Sequence, residues 1–135
     1  MTGIVTARRP TYHGPLLCYK RRSLFYITVA AQTVQVAHLN AKVSYAISNG
    51  KIDPAKPTTV LINAMCVNGE MYRDQMTSER LTAATNLLAI EPLGHGSTTC
   101  TTEHFTYWDT ALVALQAMEA LSVTKAFTLG TSQGG

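Results

Sequence analysis

"LGTSQGG", residues 129–135, closes the sequence and decides how the rest of it is read. Gly130, Ser132 and Gly134 occupy the fixed positions of G-x-S-x-G, and Gly135 adds a further glycine. That spacing has a mechanical meaning. A strand turns sharply into a helix, and the serine takes a strained backbone conformation at the bend. Small residues two positions to either side let neighbouring backbone approach. The serine hydroxyl then stands exposed above the sheet edge. A turn serine that only satisfies local backbone groups is the plainer alternative. The residues upstream decide between the two.

Working outward, "KAFTLG" (125–130) reads as the strand that leads into Ser132. Before it, "TYWDTALVALQAMEAL" (106–121) is the clearest helix. Trp108, Leu112, Leu115 and Met118 recur on one of its faces, and Thr106 is a cap with Asp109 three residues on. The apolar stripe is expected in the core. "TVLINA" (59–64) and "NLLAIEPL" (86–93) are short, nearly all-apolar runs suited to strands covered on both faces. Between them a weaker helical pattern spans 71–85, with Met71, Gln75, Ser78 and Thr82 a turn apart. Prolines exclude regular structure in "NGKIDPAKP" (49–57). "TVQVAHL" (33–39) and "AKVSYAIS" (41–48) flank Asn40 as a hairpin. The order is therefore hairpin, strand, helix, strand, helix, strand, turn. It predicts an α/β fold with right-handed crossovers and a mainly parallel sheet, the antiparallel N-terminal hairpin at one edge. Sites in such sheets form at the carboxyl ends of the strands. Loops 65–70 and 94–100 arrive there together with the Ser132 turn.

Composition sets the outer bounds. The 135 residues, 46% hydrophobic and 14% charged, suit a single globular domain. Cys18, Cys66 and Cys100 are odd in number and irregularly spaced, which provides no disulfide framework. No apolar run is long enough to span a bilayer. The net charge of +3 is unevenly placed. Seven Lys or Arg precede the first acidic residue, Asp53, whereas from Val34 onward six basic face eight acidic residues. The positive charge thus belongs to an N-terminal extension, residues 1–32, with Arg8, Arg9, Lys20, Arg21 and Arg22. Such an arm suits nucleic acid or anionic lipid. Followed by "SLFYITVAA", it also suits a targeting segment. The plainer reading is an unstructured leader, or translated sequence outside the native reading frame, with residues 33–135 forming the domain. No nucleic-acid partner is expected, and a cytoplasmic location is favoured over a targeted one.

Three segments together resemble the α/β-hydrolase family. "VLINAMCVNGEMYRDQM" (60–76) is similar to its oxyanion segment, in which an apolar strand meets His-Gly, then an aromatic followed by Gln; Tyr72 and Gln75 take those last two places. "EPLGHGST" (91–98) resembles the Asp-x-x-Gly-x-Gly-x-Ser loop, and "MEALSVTKAFTLGTSQGG" (118–135) the run into the nucleophile elbow. The likeness covers about three quarters of the chain, roughly 34–135. There are departures. Asn63-Ala64 replaces His-Gly, Glu91 replaces Asp, Thr98 replaces Ser, and Ser122 stands where Gly often closes the helix. Alanine at 64 fits only where φ stays below zero.

The resemblance implies acyl transfer of esterase or thioesterase type on a small-molecule ester, thioester or amide. Ser132 is the nucleophile, and the backbone N–H groups of Gln133 and Met65 form the oxyanion hole. Gly130, Gly134 and Gly135 permit the elbow. Serine at this position separates the chain from the family's dehalogenases and epoxide hydrolases, which use Asp. The family's order is serine, acid, histidine, yet His13, His38, His95 and His104 all precede Ser132. The expectation is a fragment of a hydrolase of roughly 250 to 300 residues, inactive alone, its base lying beyond residue 135. The alternative is a non-catalytic α/β-hydrolase-like protein or interaction module. No metal or cofactor is implied. Cys66, His95, Cys100 and His104 fit no zinc spacing, and Gly94-x-Gly96 lacks the remainder of a nucleotide-binding motif. Cys66 is read as a small filler rather than a reactive thiol. Oligomeric state is not legible.

Overall fold

A computed structural model describes residues 29–135. The basic extension's arginines, Lys20, Cys18 and His13 lie outside the described residues. Five strands form one sheet: β1 (Gln32–Gln35), β2 (Lys42–Ile47), β3 (Thr58–Ile62), β4 (Asn86–Ile90) and β5 (Phe127–Gly130). Their spatial order is β1-β2-β4-β3-β5. β2 runs antiparallel to both β1 and β4, while β4, β3 and β5 are mutually parallel. The mainly parallel sheet and the hairpin at one edge are as the sequence predicts. The hairpin connection is broader than a tight Asn40 turn. A 3-10 turn, His38–Asn40, carries Leu39 and Asn40 at φ 53 and 46.

Alternation along the strands splits the core into two layers. Val43, Tyr45, Ile47, Val60, Leu88 and Ile90 pack on one face against Val113 and Ala117 of α3 (Tyr107–Ala120). Ala46, Leu61, Leu87 and Ala89 pack on the other with Tyr72, Met76 and Val29. Burial on both faces explains why 60–62 of β3 and 87–90 of β4 are continuous apolar runs rather than alternating.

Three boundaries differ from expectation, each for a local reason. The helical pattern over 71–85 breaks into a 3-10 turn, Gly69–Tyr72, then α1 (Arg73–Thr77) and α2 (Glu79–Ala84). Ser78 leaves helical geometry at ψ 111, and its hydroxyl caps α2 by accepting from Leu81 N–H at 3.4 Å. β4 stops at Ile90 rather than Leu93, because the Glu91 carbonyl accepts from the Thr98 hydroxyl at 2.7 Å and Pro92 has no N–H for a ladder. The stripe expected in the core is corrected: Trp108 is 81% exposed, and Leu112 and Leu115 are exposed too. The sheet-facing ridge of α3 is the smaller Val113 and Ala117, which leaves the large side chains beside it. Trp108, Leu115 and Met118 line an open apolar groove of about 410 Å³ between α3 and the β3–β5 side of the sheet.

Candidate active site

Adjacent parallel strands deliver the three loops to one end of the sheet. Ile62 is paired with Ile90 on one side and with Gly130 on the other, so β3, β4 and β5 end level. Met65 lies three residues past Ile62, and Gln133 three residues past Gly130. The two segments leave the sheet side by side.

Ser132 sits at φ 54, in the left-handed region, and is exposed. The turn closes through Gly134 N–H to Thr131 O and Gly135 N–H to Ser132 O, both 3.0 Å. Two glycines make that turn possible. A Cβ on Gly134 would strike the Ile62 carbonyl, and one on Gly130 would strike the Gly134 carbonyl. The Ile62 carbonyl also accepts from Thr131 N–H at 3.3 Å and from the Tyr72 hydroxyl at 2.8 Å. Tyr72 Oη lies 3.0 Å from Thr131 Oγ1, so one buried phenol ties the end of β3 to the elbow.

The Met65 loop is held differently from the family pattern. Ala64 is absent from the residues with positive φ; that conformation falls on Cys66, at φ 63. Asn63 is 1% exposed, and its Nδ2 donates to Ala64 O at 3.1 Å and Val67 O at 2.8 Å. Its Oδ1 has no hydrogen-bond partner among the described residues. The Glu91 carboxylate is 5% exposed and bridges two loops, accepting from Gly69 N–H at 3.1 Å and Ser97 N–H at 2.8 Å. The Thr98 hydroxyl accepts from Ser44 N–H at 2.9 Å. Cys66 is exposed, which corrects its reading as a filler. Among the described residues, neither Met65 N–H nor Gln133 N–H donates a hydrogen bond.

Among the described residues, none of the three histidines hydrogen-bonds Ser132. His95 has both ring nitrogens engaged, by Leu93 O at 2.9 Å and Cys66 N–H at 3.2 Å. His104 is exposed in the loop before α3. His38 Nε2 lies 2.7 Å from Asp109 Oδ1, a histidine–carboxylate pair that the sequence did not announce. That pair joins the turn after β1 to the start of α3. β1 and β5 are opposite edges of the sheet, four strand spacings or about 19 Å apart. Asp109 is held at about 2, below its ordinary 3.8, first by the Thr106 hydroxyl and Thr106 N–H and then by His38. Its role is therefore that of a helix cap.

No protein-family profile matches the chain, and no curated protein does. Solved structures do. A hydrolase from Pseudomonas aeruginosa PA01 superposes with TM-score 0.66 at 23% identity, over 77% of this chain and 37% of that one. An epoxide hydrolase from Vigna radiata gives 0.65 at 16%, over 79% and 33%. A thioesterase domain from the curacin biosynthetic pathway gives 0.60 at 13%, over 78% and 38%. The described residues carry an α/β-hydrolase fold, and the chain spans little more than a third of the length of the structures it matches.

Proposed function

We propose that this end of the sheet is the acyl-transfer site of a serine hydrolase. Ser132 attacks the carbonyl of a small ester, thioester or amide. The Met65 and Gln133 N–H groups receive the oxyanion. The general base and its carboxylate partner come from sequence outside residues 1–135. One observation carries the reading: an exposed serine held at positive φ just past the end of β5, level with the strand end that leads to Met65, with neither the Met65 nor the Gln133 N–H donating a hydrogen bond among the described residues. A strained non-glycine residue costs on the order of 1 to 3 kcal/mol and persists where its surroundings enforce it. Here Thr131, Gly134, Ile62 and Tyr72 do so. A serine hydroxyl is a weak nucleophile without a base, so the 135-residue chain alone is expected to turn over no ester.

The test is fluorophosphonate labelling of the complete protein. Labelling is expected on Ser132 and lost in Ser132→Ala. An adduct on another serine overturns the assignment. A complete protein that carries a downstream acid and histidine yet resists labelling supports the non-catalytic alternative.

A further inference from the structure

Resting on that reading, we infer that His95 is a positioning residue for the oxyanion loop, acting through its neutral imidazole with the proton on Nδ1. The residue is 8% exposed, and its ring lies between two backbone groups whose roles are fixed. The Leu93 carbonyl, 2.9 Å from Nδ1, only accepts, so Nδ1 carries the hydrogen. The Cys66 N–H, 3.2 Å from Nε2, only donates, so Nε2 presents its lone pair. An imidazolium, or the other tautomer, loses one or both bonds.

The consequence for Met65 follows from peptide planarity. The Ala64–Met65 and Met65–Cys66 units are each rigid planes in which C=O and N–H point in opposite directions. Asn63 Nδ2 holds the first plane by Ala64 O, so Met65 N–H points away from the Asn63 amide. His95 holds the second plane by Cys66 N–H and keeps Cys66 at φ 63. A left-handed non-glycine residue costs roughly 1 to 2 kcal/mol, comparable to what one hydrogen bond returns. Without His95 the Met65–Cys66 plane loses this hold, and Met65 N–H, on the neighbouring plane, keeps its direction through the Asn63 bond with less support from the residue that follows. The loop's conformation is thus set by the loop after β4 in a chain that has alanine where the family has glycine.

Two measurements test this separately from the parent reading. The first uses the complete protein and the ¹⁵N shifts of the His95 ring with exchange of the Cys66 amide. A protonated Nδ1, a bare Nε2 and a protected Cys66 N–H are expected. A proton on Nε2, or a Cys66 amide that exchanges freely, overturns the proposal. The second also uses the complete protein. His95→Leu should slow Ser132 phosphonylation about 100-fold, the low end for one lost oxyanion donor, without weakening probe binding. His95→Gln, which offers Oε1 in place of Nε2, should recover most of the rate. Equal rates in wild type and His95→Leu, or no recovery with Gln in a folded variant, overturn it. If Ser132 is never labelled, the hydrolase reading fails, while the ring and amide measurements still decide the clamp.

Discussion

Ser132 is where local preference and fold disagree most openly. At φ 54 a serine is strained and a glycine is not. Ser132→Gly is therefore expected to raise stability by about 1 kcal/mol while abolishing acylation. Chemical denaturation of the 135-residue chain checks the first half, and a drop in stability removes strain from the account. Gly134→Ala should act in the opposite direction, because its Cβ meets the fixed Ile62 carbonyl. A loss of about 1 to 3 kcal/mol is expected, and a neutral result would show that the elbow can give way. At this scale the sequence spoke clearly where a residue type is rare in its context. A serine between glycines after an apolar strand is such a case. It was silent about the partners of His95 and Asn63. The His95 partner is 29 residues away in the chain, and only the sheet brings them together. The positive φ was expected to matter at position 64 and falls at Cys66, because Asn63 bonds across the loop to Val67 and moves the bend onward.

Among the elements, α3 was the most legible because its start has its own chemistry. Thr106 and Asp109 form a complete capping box: the hydroxyl accepts from Asp109 N–H at 3.2 Å, and the carboxylate accepts from Thr106 N–H at 2.7 Å. Thr106→Ala should cost about 1 kcal/mol, read by thermal unfolding. The pH dependence has a defined sign. Asp109 titrates lower in the fold than in the unfolded chain, at about 2 against 3.8. Its stabilising contribution is full above its unfolded value and is lost as pH falls through the folded one. Asp109→Asn should flatten the acid limb of the stability profile between about pH 4 and 2, and an unchanged limb would assign that loss to other carboxylates. The 71–85 segment was less legible. Ser78 fits a helical period as well as it fits a cap, and only the chain's change of direction there selects the cap.

On the scale of the whole molecule, the parallel core and the hairpin edge were legible from element order. The insertion of β4 between β2 and β3 was not, since apolar strands of similar length carry no address. Nor was the exposed apolar surface. Trp108, at 81% exposure, lines a groove with few polar groups, and Phe127, at 71%, stands on the edge strand β5. Surfaces and edges of this kind promote association. The 135-residue chain is expected to self-associate at micromolar concentration in sedimentation velocity, and Trp108→Lys with Phe127→Lys should shift it toward monomer. A monodisperse wild-type monomer would contradict this.

The strand order also dictates a sequence of events in time. Gln32 meets Tyr45 within a short hairpin, and Thr58 meets Asn86 across one helical connection, but Thr59 must wait for Phe127. Closing the longest loop costs the most chain entropy, and non-local pairings form slowly. β5 is therefore expected to be recruited last, with its amides the latest to gain protection in pulse-labelled refolding. The same strand carries Ser132. A chain still finding its way to the native state would hold the β3 and β4 loops ready before Ser132 arrives, so the turn at Ser132 is assembled only on a finished scaffold.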